Sequence, residues 1–288
     1  MLPLLHGTFD TITVWSWYPD PVVILGVLLA GWLYLRAIGP LRPRFVESAP
    51  VGRARVTCFI LGLGAIVVAL LSPLEPLSDD YLLSAHMIQH LLLTIVAPPL
   101  LIYGLPPWIW AAFSRRVRIW RVWRLLAMPL VAFALFHLPF SVVHVPAVYE
   151  QTLNSTWVHV FTHFVFIGTA ILVWWPVLAP GRSFGQLPPG LAILFLFAQT
   201  IPGQLVGALI TIADEPLYPT YAAASRVWGL SPLVDQQAGG LIMWVGTGTF
   251  YLAAMSVIFF RWASAEDARE RARWSVGGSA RPSGRASQ

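Results

Sequence analysis

The stretch YLLSAHMIQHLLLTIVAPPL, residues 81–100, decides the fold. It contains no Asp, Glu, Lys or Arg and is long enough to cross a bilayer as a helix, which takes about 20 apolar residues. Two histidines, His86 and His90, lie one helical turn apart near its start. The Pro98–Pro99 pair is expected to end or kink the helix, because proline lacks a backbone N–H. The stretch therefore predicts a membrane-spanning helix that buries polar side chains.

Further apolar runs of similar length lie on both sides of this stretch. The chain is 57% hydrophobic and 11% charged, whereas soluble domains are about 25% charged. We therefore predict an all-α membrane protein with seven transmembrane helices, the sixth of which is expected to be interrupted at Pro202–Gly203. Besides the run that begins near Tyr81, the predicted spans are 21–38, 56–72, 125–145, 155–177, 189–212 and 238–261.

The positions of the basic residues predict the topology. All 18 of them are arginine, and they alternate between the two sides of the predicted bundle. The loops after helices 1, 3 and 5 and the C-terminal segment contain all but Arg226. Because arginine is enriched in cytoplasmic loops, the N-terminus is expected outside and the C-terminus in the cytoplasm.

The same composition predicts the domain organisation and excludes several functions. We assign residues 1–262 to one transmembrane domain and residues 263–288 to a cytoplasmic, disordered tail. The absence of lysine excludes a retinal Schiff base and a Walker-A ATPase. The positive charge lies in loops and the tail rather than on one folded face, so nucleic-acid binding is not indicated.

Histidine spacing predicts the candidate site. Two histidine pairs have i, i+4 spacing, which places both rings of a pair on one helix face. A fifth histidine and a methionine fall at matching depth on other helices, near the outer side. A lone histidine in a span most often makes an interhelical hydrogen bond, but this repeated pattern favours a metal or cofactor site. Imidazole and thioether donors without a carboxylate favour copper, especially Cu(I). The candidate ligands are His86, His90, His137, His159, His163 and Met243. The sequence allows one metal site or two, and it does not select which of these side chains bind the metal directly.

Several other side chains have two interpretations. Asp235 and Gln236 are expected just outside helix 7, either as a helix cap with solvated neighbours or as supporting or docking groups at the site mouth. Gln199 is expected to satisfy backbone groups that Pro202 frees. His144 and His6 are expected at the periphery of the site.

The tryptophan pairs of the chain suggest a simpler role. Trp108 and Trp110, like Trp174 and Trp175, are amphipathic rings close to the ends of predicted spans. Such rings are enriched at membrane–water interfaces. They are expected to anchor the bundle there.

The chain resembles a known family at these residues. HMIQHLLL at 86–93 with APPL at 97–100, and DQQAGG at 235–240, are its most specific segments. They resemble the multi-span CtaG family of cytochrome c oxidase assembly factors, and the resemblance covers roughly residues 75–262. It also makes Gln89, inside the first segment, a candidate supporting residue. Further matching segments are FHLP at 136–139, WWP at 174–176, LYP at 217–219 and SPL at 231–233.

The resemblance implies a non-enzymatic role in maturing a haem–copper terminal oxidase. The expected cargo is copper, handled near the extracytoplasmic side of a bacterial plasma membrane, and the expected partner is an oxidase subunit. The client subunit, the copper oxidation state and the oligomeric state stay open.

Two other functions are compatible with the residues. A membrane redox protein could use histidines as axial ligands of a b-type haem, or could bind quinone. A transporter for metal or a small solute would use the proline-containing helices as discontinuous helices.

Overall fold

The computed structural model describes residues 16–278, which form helices and no strand. The elements before residue 105 are α1 (Pro21–Ile38), a 3-10 turn (Arg42–Arg44), α2 (Arg53–Leu71), α3 (Leu74–Asp80), α4 (Leu83–Leu91), a first π segment (Leu92–Val96) and α5 (Ala97–Gly104). The middle of the chain forms α6 (Pro107–Ser114), α7 (Val117–Leu126), α8 (Pro129–Val143), α9 (Pro146–Asn154) and α10 (Thr156–Leu178). The remaining elements are a second 3-10 turn (Arg182–Phe184), α11 (Pro189–Ile212), α12 (Pro219–Ala223), α13 (Pro232–Leu241), a second π segment (Ile242–Gly246) and α14 (Thr247–Gly278).

The helices confirm an all-α fold with multiple membrane spans. Within residues 16–278, six helices are long and apolar enough to cross a bilayer. The remaining predicted span, 125–145, corresponds to the end of α7 and to α8, two helices that are bent by 65° relative to each other. The chain is thus a multi-pass membrane protein with six spans, or seven if the bent pair is counted as one. The orientation of the termini stays a prediction.

The Pro98–Pro99 pair does not end its helix. The first π segment lies immediately before it, and α5 continues to Gly104. Pro98 cannot donate to the carbonyl four residues earlier, that of Thr94. This carbonyl instead accepts a hydrogen bond from Trp174 Nε1 on α10, at 3.0 Å. A neighbouring helix therefore supplies the missing donor.

We expect Trp174→Phe to lower the free energy of unfolding by about 1–2 kcal/mol, because the buried Thr94 carbonyl loses its donor. Thermal unfolding in detergent would measure the change. Trp157, which is 86% exposed, offers the matched control Trp157→Phe. Equal melting temperatures for the two variants would contradict a role for the Trp174 bond.

The interruption expected at Pro202–Gly203 is wrong. Helix α11 is continuous from Pro189 to Ile212. A proline removes one hydrogen bond from a helix, but it need not unwind turns that are packed on both sides. Here α11 packs against α13 and α14, which keep its two halves in line.

The tryptophans expected at the membrane interface are buried. Trp110 and Trp175 have ring centroids 4.4 Å apart, and Trp123 of α7 packs edge-on against Trp175 at 5.2 Å. Trp108 and Trp174 are also buried. Trp110, Trp123, Trp174 and Trp175 belong to one hydrophobic core, whereas Trp108 packs against Phe45. The apolar area of these rings therefore stabilises the bundle instead of anchoring it in lipid.

The last helix extends beyond both predicted ends. It begins at Pro232 rather than near residue 238, and it continues to Gly278, where we expected a disordered tail from residue 263. Residues 263–273 are rich in Ala, Glu and Arg, which are good helix formers. Arg269 and Glu266 also pair at 3.1 Å on this helix. Residues 279–288 lie outside the described part of the chain.

Candidate metal centre

The first histidine pair lies on α4 at the centre of the bundle. The Nε2 atoms of His86 and His90 are 2.9 Å apart, and both side chains are buried. The i, i+4 spacing aligns the two rings, as predicted. Because both rings are neutral in this contact, one Nε2 donates a proton and the other accepts it.

The second pair, on α10, meets the first. His159 and His163 have their Nε2 atoms 3.1 Å apart. The ring of His163 lies 6.0 Å from that of His90, and the ring of His159 lies 6.0 Å from that of His86. One ring nitrogen from each of His86, His90 and His163 lies within 4.8 Å of the other two. We call His86, His90, His159 and His163 the histidine cluster, which contains four of the six predicted ligands.

Hydrogen bonds fix the tautomer of His86. The Ser78 carbonyl can only accept, and the Tyr221 hydroxyl donates its single proton to it at 2.6 Å. The His86 Nδ1 atom, 3.1 Å from the Tyr221 oxygen and 3.4 Å from the Ser78 carbonyl, must therefore donate. Tyr149 also contacts the Tyr221 hydroxyl, at 3.1 Å. The Nε2 atom of His86 consequently presents a lone pair toward His90.

A carboxylate orients the other end of the cluster. Asp79 Oδ2 lies 3.3 Å from His159 Nδ1, so the outward-facing nitrogen of His159 donates to Asp79. Metal-binding histidines commonly donate their second nitrogen to a carboxylate, which aims the first at the ion. Asp79 belongs to α3, so this short helix forms one edge of the histidine cluster.

The same edge contains two more acidic residues, but one of them is neutral. Burial, followed by the charges of Asp79 and Asp80, raises the pKa of Glu75 to about 9. Glu75 is thus uncharged at neutral pH and adds no charge beside Asp79. The exposed Asp80 lies on the solvent side of α3, so this edge favours the approach of a cation.

Asp235 is inside a helix rather than just outside it, and it is buried. Its carboxylate accepts from the backbone N–H groups of Leu83 at 2.7 Å and Ser84 at 3.2 Å, and from the Ser84 hydroxyl at 2.5 Å. The N–H groups of a first helical turn have no partners within the helix. Asp235 therefore caps α4 from another helix, while Ser231 caps α13 itself. The expected solvated cap of helix 7 is wrong.

The other two predicted supporting residues, Gln236 and Gln89, also form hydrogen bonds between different parts of the fold. Gln236 accepts from the Leu217 N–H at 2.6 Å and donates to the Glu215 carbonyl at 3.1 Å, which holds the loop that leads to Tyr221. Gln89 donates to the Ala69 carbonyl of α2 at 3.0 Å. Both amides thus bond to backbone groups around the histidine cluster, and they fix its surroundings rather than its rings.

His137 and Met243 are separate from the histidine cluster. Together with His90 they line a cavity of about 30 Å³ between α4, α8, α11 and the second π segment. His137 Nε2 lies 2.5 Å from Gln199 Oε1. Gln199 Nε2 has no hydrogen-bond partner among the described residues, so its expected role beside Pro202 is wrong.

Four residues of this region were missed or undervalued. His144 was expected at the periphery, but it is buried with its ring 6.0 Å from that of His90. Its spacing of seven from His137, two helical turns, was the available signal. Met87 also borders the cavity, although it was not among the predicted ligands. Tyr221 belongs to the resemblance, two residues after LYP, but no role was predicted for it, and Asp79 carries no motif. His6 lies outside the described residues.

Comparisons with known proteins find a matching family profile and several similar relatives. The sequence profile of a family described as cytochrome c oxidase caa3 assembly factor matches residues 32–265, a range that includes every candidate ligand. An uncharacterised protein of Mycobacterium bovis and one of Mycobacterium tuberculosis are each 26% identical over 272 residues, covering 88% of this chain and 40% of the relative. An uncharacterised protein of Mycobacterium leprae is 24% identical over 282 residues, covering 91% of this chain and 41% of its own length. The chain thus spans about two fifths of these relatives. No solved structure matches it.

Proposed function

This chain belongs to the cytochrome c oxidase caa3 assembly factor family, and from that premise we propose that it binds copper at the histidine cluster and delivers it to a haem–copper oxidase. The main support for this proposal is that one ring nitrogen from each of His86, His90 and His163 lies within 4.8 Å of the other two. In this proposal copper is cargo, the partner is an oxidase subunit, and the chain acts without catalysing a reaction.

The donor set fits such a cargo. Ligand nitrogens at about 2.0 Å from one ion lie roughly 3.5 Å from each other. The 2.9 Å contact between His86 and His90 and the 4.8 Å limit for the three nitrogens bracket this separation. The tautomer of His86 already directs a lone pair into the cluster. Imidazole is a suitable ligand for copper. The fourth ring, that of His159, can replace another imidazole on the ion while copper is being transferred.

The position of the cluster supports transfer at one membrane face. The carboxylate of Asp79 contacts His159 at the edge of the bundle formed by α3. The arginine distribution supports an extracytoplasmic position of this face at a bacterial plasma membrane. A copper ion can then be exchanged there with an oxidase subunit.

Metal analysis with a visible spectrum on detergent-purified protein tests the proposal. We expect bound copper and no Soret band. A Soret band would instead support the haem-binding alternative, and copper uptake into proteoliposomes would support a transporter. Protein with neither copper nor haem would refute copper delivery.

We expect Tyr221→Phe to weaken Cu(I) binding on the order of 10- to 100-fold, since residues that orient a metal-binding histidine typically contribute this much. The variant removes the acceptor that holds the His86 Nδ1 proton. Competition with a chromogenic Cu(I) chelator would measure the affinity. Tyr218→Phe is the matched control, because the buried Tyr218 hydroxyl donates to the His144 carbonyl instead. Equal affinities of both variants would contradict the role of Tyr221.

A further inference from the structure

The cavity that contains His137 has the composition of a ligand site rather than of a packing defect. We call it the methionine cavity, after Met87 and Met243, which are buried in its wall. Its volume of about 30 Å³ accommodates one small ion or one water molecule. Both π segments contribute to its lining, and π segments occur frequently at functional sites. No carboxylate lines it.

Hydrogen bonding leaves a lone pair on His137. Its Nε2 atom donates to the amide oxygen Oε1 of Gln199. Neutral imidazole carries one proton, so Nδ1 of His137 has a free lone pair. Among the described residues this buried atom has no hydrogen-bond partner.

His90 also has a free lone pair on Nδ1, as its contact with His86 shows. The lone pair of His86 Nε2, fixed by Tyr221 and Ser78, requires His90 Nε2 to donate the proton of their 2.9 Å contact. Nδ1 of His90 therefore carries the lone pair, and it too is buried without a partner in the described part of the chain. His90 thus contacts the histidine cluster through one nitrogen and has the other nitrogen available.

We propose that the methionine cavity is a second Cu(I) position, formed by the imidazoles of His90 and His137 and the sulfurs of Met87 and Met243. Thioether sulfur selects Cu(I) over harder cations. When both positions are filled, His90 binds the second ion through Nδ1, and the first ion keeps His86 and His163, with His159 as its further ligand. Because His90 can bind through either nitrogen, it connects the two positions. The identity of the ion rests on the proposed function.

Anaerobic Cu(I) titration against a chromogenic chelator tests the second position. We expect two ions per wild-type chain and one ion in Met87→Leu/Met243→Leu. X-ray absorption should show copper–sulfur scattering in the wild type and none in this variant. Leucine has nearly the volume of methionine, so packing is kept. The matched control Met128→Leu/Met255→Leu should still bind two ions. His159→Ala/His163→Ala should lose one ion and retain the sulfur scattering.

Three results would overturn the inference. Two ions retained by Met87→Leu/Met243→Leu would show that the sulfurs are not ligands. One ion in the wild type, with nitrogen scattering only, would leave a buried water in the cavity and the proposed function intact. No bound copper in any protein would refute both the second position and the proposed function.

Discussion

Replacing His86 and His90 together by alanine is expected to abolish copper binding and to lower the copper content of the client oxidase severalfold or more. The double variant removes two of the three nitrogens that lie within 4.8 Å of each other. It also removes the ligand that the two proposed copper positions share. A single remaining pair, His159 and His163, lacks the third imidazole of the cluster.

The measurement combines metal analysis of the purified variant with oxidase activity and copper content in cells that express it. His144→Ala is the matched control, because it removes a buried histidine whose ring lies 6.0 Å from that of His90. Equal amounts of the wild type and both variants in the membrane would show that insertion is unaffected. A fully copper-loaded oxidase in the double-variant cells would refute copper delivery by this cluster.

Asp235→Ala is expected to cause the largest loss of stability, about 3 kcal/mol, since hydrogen bonds to a charged group contribute about 1.5–3 kcal/mol. The carboxylate accepts three hydrogen bonds from the start of α4, two from backbone N–H groups and one from the Ser84 hydroxyl. Their loss leaves donors of Leu83 and Ser84 without partners in a buried place. Because His86 and His90 follow directly on this helix, copper affinity should fall as well.

Thermal unfolding in detergent would measure the stability of this variant. Asp214→Ala is the matched control, because Asp214 is exposed beyond the end of α11. Asp235→Asn should fall between the two, since its amide oxygen still accepts while its NH₂ group faces the donors. A melting temperature of Asp235→Ala equal to that of the control would contradict the cap.

The length and spacing of apolar runs predicted the helical fold because a bilayer sets both. The same periodicity placed the rings of each histidine pair on one face. Depth along a helix, however, says nothing about rotation around its axis. His137 lies on a helix of matching depth, yet it contacts Gln199 and not the histidine cluster. The split into two groups therefore required the packed structure.

Contacts across the chain were equally inaccessible. Tyr221 and His86 are separated by 135 positions, and Asp235 and Leu83 by 152. Each contact depends on a loop or helix end that hydropathy does not position. The effects of Pro98 and Pro202 were overestimated for a related reason. The sequence shows only that proline lacks a backbone N–H donor. Whether the helix bends there depends on its contacts with neighbouring helices.

Each of the two π segments changes the rotation of the residues that follow it, around the helix axis, relative to the residues that precede it. Each wide turn holds one residue more than a regular α-helical turn, and a residue corresponds to about 100° of rotation. In the span that contains the first π segment, the helix before Leu92 positions His86 and His90. The helix after Val96 packs against α2. Deleting one residue between them would turn one half by about a quarter of a revolution, so either the histidines or the packing face would point away from its partners. Chemistry and packing on one helix are thereby kept in phase by a single surplus residue.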